Sequence, residues 1–180
     1  MTTRYHQLLK AVREKQPRTI LEVGTWNGER ARQMLNLCPD ATYYGFDLFE
    51  DATPETDQRE LNVKHHHSID YVYAFLDGYT VQLFKGDTRE TLPKFKPDGG
   101  IDFVWLDGGH SVETIRSDWA HIRTILAPNA WVYFDDYYTG PIDTTKYGCN
   151  EIVKDLRFVA LPAVDPVKGG GSVQMVTVYV

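Results

Sequence analysis

The residues best suited to chemistry in this chain are acids, and they recur in one kind of place. Glu22 stands two residues before Gly24 at the end of an apolar run, and Asp47 closes a second run. Asp87 follows Gly86 after a third, Asp107 ends a fourth in Asp107-Gly108-Gly109-His110, and Asp135-Asp136 end a fifth. One acid after an apolar run means little; five successive runs ending this way mark a site. Carboxylates there can accept hydrogen bonds from a ribose diol, balance a cationic ligand or orient a base. Asp47 suits the diol, because it lies nineteen residues after Gly28, close to the roughly 20 expected between a glycine turn and its ribose acid. Gly24 and Gly28 flank that turn, where missing side chains let a ligand approach the backbone and a helix N-terminus. Trp26 occupies the place of the middle glycine of G-x-G-x-x-G. That leaves less room for a pyrophosphate, and a ligand with a positive or neutral group suits Glu22 better. His110 is the best general base, since an imidazole titrates at about 6.5.

These residues need a scaffold that brings strand ends together. The apolar runs at 19–23, 42–46, 81–84, 101–106 and 130–134 read as buried strands. Helical spacing of apolar residues marks 5–15, 28–37, 68–76 and 111–126, with Asn27 as a cap for the second of these helices. A short helix at 150–156 precedes two last strands, at 158–161 and 173–180, joined through Lys168-Gly169-Gly170-Gly171 with no helix between them. The expected fold is α/β: a doubly wound, mostly parallel seven-stranded sheet, helices on both faces and a C-terminal antiparallel hairpin. In such a sheet ligands bind outside the carboxyl ends of the strands, where the acids of all five runs fall.

The segment Glu22-Val23-Gly24-Thr25-Trp26-Asn27-Gly28 resembles the E-x-G-x-x-x-G motif of class I S-adenosylmethionine-dependent methyltransferases. With Asp47 as the ribose acid and Gly86-Asp87-Thr88 as the turn beside the adenine, the resemblance runs from about residue 19 to the end. It implies a Rossmann-like methyltransferase fold, with Glu22, Gly24, Thr25, Trp26, Gly28, Asp47, Asp87, Thr88 and Asp107 around the cofactor. Asp107-Gly108-Gly109-His110 with Asp135-Asp136 is similar to metal-dependent small-molecule O-methyltransferases of the catechol and macrolide-sugar types. That likeness implies Mg²⁺ on Asp107, Asp135 and Asp136, a hard-oxygen set suited to an octahedral cation. It makes His110 and Asp107 the catalytic pair, although catechol-type enzymes place a lysine where His110 stands. Adjacent strand residues point to opposite faces, so Asp136 shares a site with Asp135 only if the strand ends there.

Length and composition bound the rest. With 180 residues, 42% of them hydrophobic, the chain makes one domain with a core, 1–180, and any lid must come from within. The 48–79 segment breaks the rhythm and supplies it. Its start is acidic, with six carboxylates against one arginine between 47 and 60, and reads as a solvated loop. His65-His66-His67 cannot readily converge on one ion and reads as polar lid surface. A net charge of −6 disfavours nucleic-acid binding through phosphate. No apolar stretch suits a membrane or a signal peptide, and two distant cysteines fit a reducing cytoplasm. Trp105, Tyr137 and Tyr138 suit either the core or stacking on substrate. The reading is methyl transfer to a hydroxylated small molecule, with a homo-oligomer left open. A nucleotide- or NAD-binding oxidoreductase and a non-catalytic cofactor-binding module are the alternatives.

Overall fold

The computed structural model describes residues 3–62 and 65–180. Met1 and Thr2, and Val63 and Lys64 within the expected lid, lie outside the described residues. Seven strands form one sheet: β1 (Thr19–Val23), β2 (Thr42–Asp47), β3 (Thr80–Lys85), β4 (Ile101–Leu106), β5 (Leu126–Thr139), β6 (Phe158–Pro166) and β7 (Ser172–Val178). Their order is β3-β2-β1-β4-β5-β7-β6. β1 to β5 are mutually parallel, and β7 runs antiparallel between β5 and β6. The expected sheet and its closing hairpin are therefore present.

The helices are α1 (Arg4–Lys15), α2 (Glu29–Leu37), α3 (Pro54–Glu60), α4 (Ile69–Phe75), α5 (Thr88–Thr91), α6 (Val112–Ile122) and α7 (Asn150–Val153). Strand alternation divides the core in two. Phe103 and Trp105 of β4 pack with Leu8 and Val12 of α1 and with Met34 and Leu35 of α2. Val104 and Leu106, on the other face, pack with Ile115, Trp119 and Ile122 of α6. Each such fully buried large side chain contributes about 1.5–3 kcal/mol of transfer free energy. Trp105 is fully buried, so it serves the core and not substrate stacking. Tyr137 likewise packs on the core, tilted against Phe158 at 5.6 Å.

Four local expectations change. The acidic start of the lid is not a loop throughout: Thr53 caps α3 through its side chain, and Pro54 opens the helix. The helix at 111–126 stops at Ile122, and Leu126 already pairs with Ile101 in the sheet. Gly28, left-handed at φ +78°, is the N-cap of α2, while Asn27 supports the turn by accepting the Glu29 N–H at 3.0 Å. β5 does not end at Asp135. It continues to Thr139 through a register shift between Phe134 and Tyr137, with Asp136 left-handed at φ +60°. That bulge lets adjacent aspartates serve one region without ending the strand.

Candidate active site

The chain winds from β1 outward to β3 and then crosses back to β4, so the topological switch point lies between β1 and β4. The backbones meet there closely. Gly24 has φ +94°, and a Cβ on it would lie 2.1 Å from the Asp107 carbonyl oxygen. Only glycine fits that contact. Trp26, also left-handed at φ +49°, takes the conformation a glycine would favour. Its N–H donates to Asp47 Oδ2 at 2.8 Å, and its indole N–H donates to the His65 carbonyl at 2.7 Å. One residue thus ties the glycine turn to the second strand and to the 48–79 segment.

A cleft of about 790 Å³ opens over these strand ends, lined by Gly24, Trp26, Asp47, Asp87, Thr88, Asp107 and His110. Asp47 also accepts the Phe49 N–H, through Oδ1 at 2.8 Å. A carboxylate offers about four lone-pair positions, so both oxygens keep capacity for a diol. Asp87 is more committed: it caps α5 and holds Arg89 in a two-point pair, which pulls its carboxyl below the ordinary range. A second cleft of about 420 Å³ adjoins the first through Gly24, Trp26 and Asp107, and adds Glu22, Thr25, Tyr5 and Arg30. Glu22 is buried there and accepts a hydrogen bond from the Tyr43 hydroxyl.

The 48–79 segment forms one wall of the larger cleft, through Thr56, Asp57, Arg59, Glu60, Asn62 and His66. His66 is thus more than surface: its Nε2 lies 2.8 Å from Asp57 Oδ1. This segment is fastened by Glu60, which is 7% exposed. Glu60 accepts the Ser111 N–H at 2.8 Å, the Thr114 hydroxyl at 2.8 Å and the Arg59 Nε–H at 2.9 Å. Burial pushes this carboxyl up, but the donors outweigh it and the net shift is downward. Ser111 also caps α6, accepting the Thr114 N–H. In a capping box the side chain three residues after the cap accepts the cap's own N–H; in α6 that N–H, of Ser111, is instead accepted by Glu60 from the 48–79 segment.

The acids of β4 and β5 form the remaining cluster. Asp135 is 2% exposed, with Asp107 in hydrogen-bonding reach. Burial, reinforced by Asp136, pushes the Asp135 carboxyl above the ordinary range, against the opposing pull of Arg4. Arg4 Nε lies 3.2 Å from Asp135 Oδ2, an ion pair without hydrogen-bond alignment. Asp136 faces elsewhere. Its Oδ2 is 3.3 Å from His110 Nε2, and its Oδ1 accepts the Tyr138 hydroxyl at 2.9 Å. Tyr138 therefore orients Asp136. Among the described residues no three His, Cys, Asp or Glu side chains are arranged to hold a metal ion. Asp107, Asp135 and Asp136 reach one rim, but as placed they do not fit the expected Mg²⁺ centre.

A family profile described as a methyltransferase domain matches residues 21–137. The chain belongs to this methyltransferase family. It is an S-adenosylmethionine-dependent methyltransferase on the Rossmann-like fold, which sets aside the oxidoreductase and the non-catalytic alternatives. No curated protein matches the sequence. Among solved structures, the methyltransferase resembles the O-methyltransferase TomG from Streptomyces achromogenes, involved in tomaymycin synthesis and seen with S-adenosylmethionine. Identity is 16%, the TM-score is 0.61, and the match covers 96% of this chain and 77% of TomG. It also resembles the precorrin-6y C5,15-methyltransferase from Geobacter metallireducens GS-15 (11% identity, TM-score 0.60, 97% and 88% covered). A third is the methyltransferase PaMTH1 from Podospora anserina, bound to S-adenosylhomocysteine (16%, 0.56, 96% and 76%). These likenesses concern the fold.

Sequence reasoning missed several residues that border the methyltransferase site: Arg4, Tyr5, Arg30, Glu60 and Asp118. Asp118 is 2% exposed on α6, behind Thr88. Burial pushes its carboxyl up to about 7, aided by Asp87 and Glu60 and opposed by the Thr88 hydrogen bond and Arg89. The folded protein keeps this proton while an unfolded aspartate loses it at about 3.9. Its contribution to stability therefore falls as pH rises from about 4 to about 7. Asp118→Asn should raise stability over the unsubstituted protein by about 1–3 kcal/mol at pH of about 8, with no such gain at about 4. Denaturant midpoints at the two pH values check this, and an equal change at both would contradict it. No helix among the described residues is long and apolar enough to cross a membrane.

Proposed function

We propose that this methyltransferase transfers the methyl group to a hydroxyl oxygen of a small molecule, such as a sugar or a catechol. The observation that carries the reading is the Tyr138–Asp136–His110 chain, after β4 and at the bulge of β5, with His110 on the cofactor cleft. An alcohol is a poor nucleophile until its proton leaves, so an oxygen acceptor needs a positioned base. The O-methyltransferase TomG among the structural neighbours supports the same acceptor atom; the precorrin methyltransferase shows that the fold alone does not fix it.

When bound, S-adenosylmethionine supplies an electrophilic methyl group on a sulfonium and departs as the neutral thioether. Asp47 holds the ribose diol, and the backbone from Gly24 to Gly28 gives the amino-acid end room beside Glu22, Thr25 and Trp26. Asp87 and Thr88 border the adenine, the first through the turn it stabilises. Asp107 stands where both clefts meet and flanks the reacting centre. His110 takes the hydroxyl proton as the oxygen bonds to carbon, and Asp136 steadies the imidazolium that results. The lid wall keeps water from the sulfonium side. Arg4 faces Asp135 while His110 and Tyr138 face Asp136, so the carboxylates expected to hold Mg²⁺ are engaged by side chains of the protein.

The test is transfer of labelled methyl to a panel of phenols, catechols and sugars, each paired with its O-blocked ether and with an amine analogue. Label should pass to the free hydroxyl compounds and not to the ethers. Transfer confined to the amines would overturn the oxygen assignment.

A further inference from the structure

Asp107, after β4, and Asp135 and Asp136, at the bulge of β5, bring three carboxylates together, and the Asp135 side chain is fully buried. Negative charge at that depth is costly without a counter-charge. The resemblance that suggested Mg²⁺ assigns this task to a metal. The structure places a different cation there. Arg4, in the first turn of α1, comes within 3.2 Å of Asp135 with its own side chain only 14% exposed.

Arg4 is held in place by more than that one pair. Its Nη2 donates to the Tyr5 hydroxyl at 3.0 Å, its guanidinium lies over the Tyr5 ring at 5.0 Å, and Asp165 of β6 stands 3.5 Å from its Nε. Tyr5 in turn packs edge-on against the core Trp105 at 6.0 Å. Burial works against the charged guanidinium, but Asp135, Tyr5 and Asp107 together outweigh it and keep Arg4 protonated. Tyr5 and Asp107 line the second cleft, so the start of α1 sets a fixed positive charge beside it.

We propose that Arg4 is the resident cation of this acid cluster, a positioning residue that takes the electrostatic place of a divalent metal on Asp135. Arg4 and a divalent cation are then mutually exclusive there. The inference rests on the acid cluster being the reaction centre, but its test does not require turnover. Mn²⁺ serves as the probe, titrated by calorimetry into the full chain without substrate. The unsubstituted protein should show no Asp135-dependent heat at millimolar Mn²⁺. Arg4→Ala should gain a Mn²⁺ site tighter by about tenfold or more, lost again when Asp135→Asn is added. Arg4→Gln, which keeps most of the bulk, should gain it too, and it carries the test if the alanine variant fails to fold by circular dichroism. Arg4→Lys, which restores the charge, should not. Asp135-dependent Mn²⁺ binding to the unsubstituted protein, unchanged by removing Arg4, would overturn the proposal. So would failure of folded Arg4→Gln to gain any site. Neither result would bear on whether methyl transfer occurs.

Discussion

In His110→Ala, kcat should fall by about 10²–10⁴-fold, the usual share of a positioned general base, while affinity for S-adenosylhomocysteine stays within about twofold. The split follows from the geometry. His110 lies on the cofactor cleft, but its Nε2 faces Asp136, so its removal takes away proton transfer rather than cofactor contacts. A second variant separates that role from simple support. His110→Asn keeps an amide able to donate to Asp136 but cannot accept a proton from an alcohol. It should be as slow as the alanine variant. Recovery to near the original rate in the asparagine variant would make His110 a spacer and move the search for the base elsewhere. Single-turnover rates with saturating cofactor are the measurement to use, because a slow product release would otherwise hide the loss.

Asp47→Ala should have the opposite signature. Affinity for S-adenosylhomocysteine should drop by about 10–100-fold, the loss expected from one or two hydrogen bonds to a charged acceptor. Part of the loss is indirect. Asp47 pins the Trp26 N–H and the Phe49 N–H, so its removal also frees the left-handed Trp26 and the turn after β2. Asp47→Asn keeps one oxygen acceptor and should recover part of the affinity. Calorimetric titration decides, with the fold checked by circular dichroism. A dissociation constant unchanged in a folded Asp47→Ala protein would remove the ribose assignment.

The sheet was legible because it is written in apolar runs with acids at their ends, and a parallel strand buried on both faces needs such a run. The glycine turn was legible for the same local reason: Gly24 must be glycine where its missing Cβ would meet the Asp107 backbone. Three features were not legible, and each rests on something that a local pattern does not carry. α3 buries almost no apolar surface; it is held by its cap and by Glu60 reaching Ser111, a polar contact across 51 positions. The weak cap of α6 was the one available hint, an unfilled place for an acid. The bulge at Asp135-Asp136 depends on one residue turning left-handed, which an aspartate tolerates but does not announce. Arg4 sits in an ordinary amphipathic helix, and nothing in its spacing points to an acid at the far end of β5. For that reason the three aspartates read as a metal set when considered alone.

The oxygen acceptor is the centre of this account, and the position of the transferred carbon tests it most directly. With methyl-¹³C S-adenosylmethionine and any acceptor that turns over, the product's carbon spectrum reports the atom to which the methyl is bound. The account predicts a methyl ether resonance, absent from the O-blocked acceptor and reduced in rate by His110→Ala. A product labelled only at nitrogen or carbon, formed at the same rate with and without His110, would contradict it.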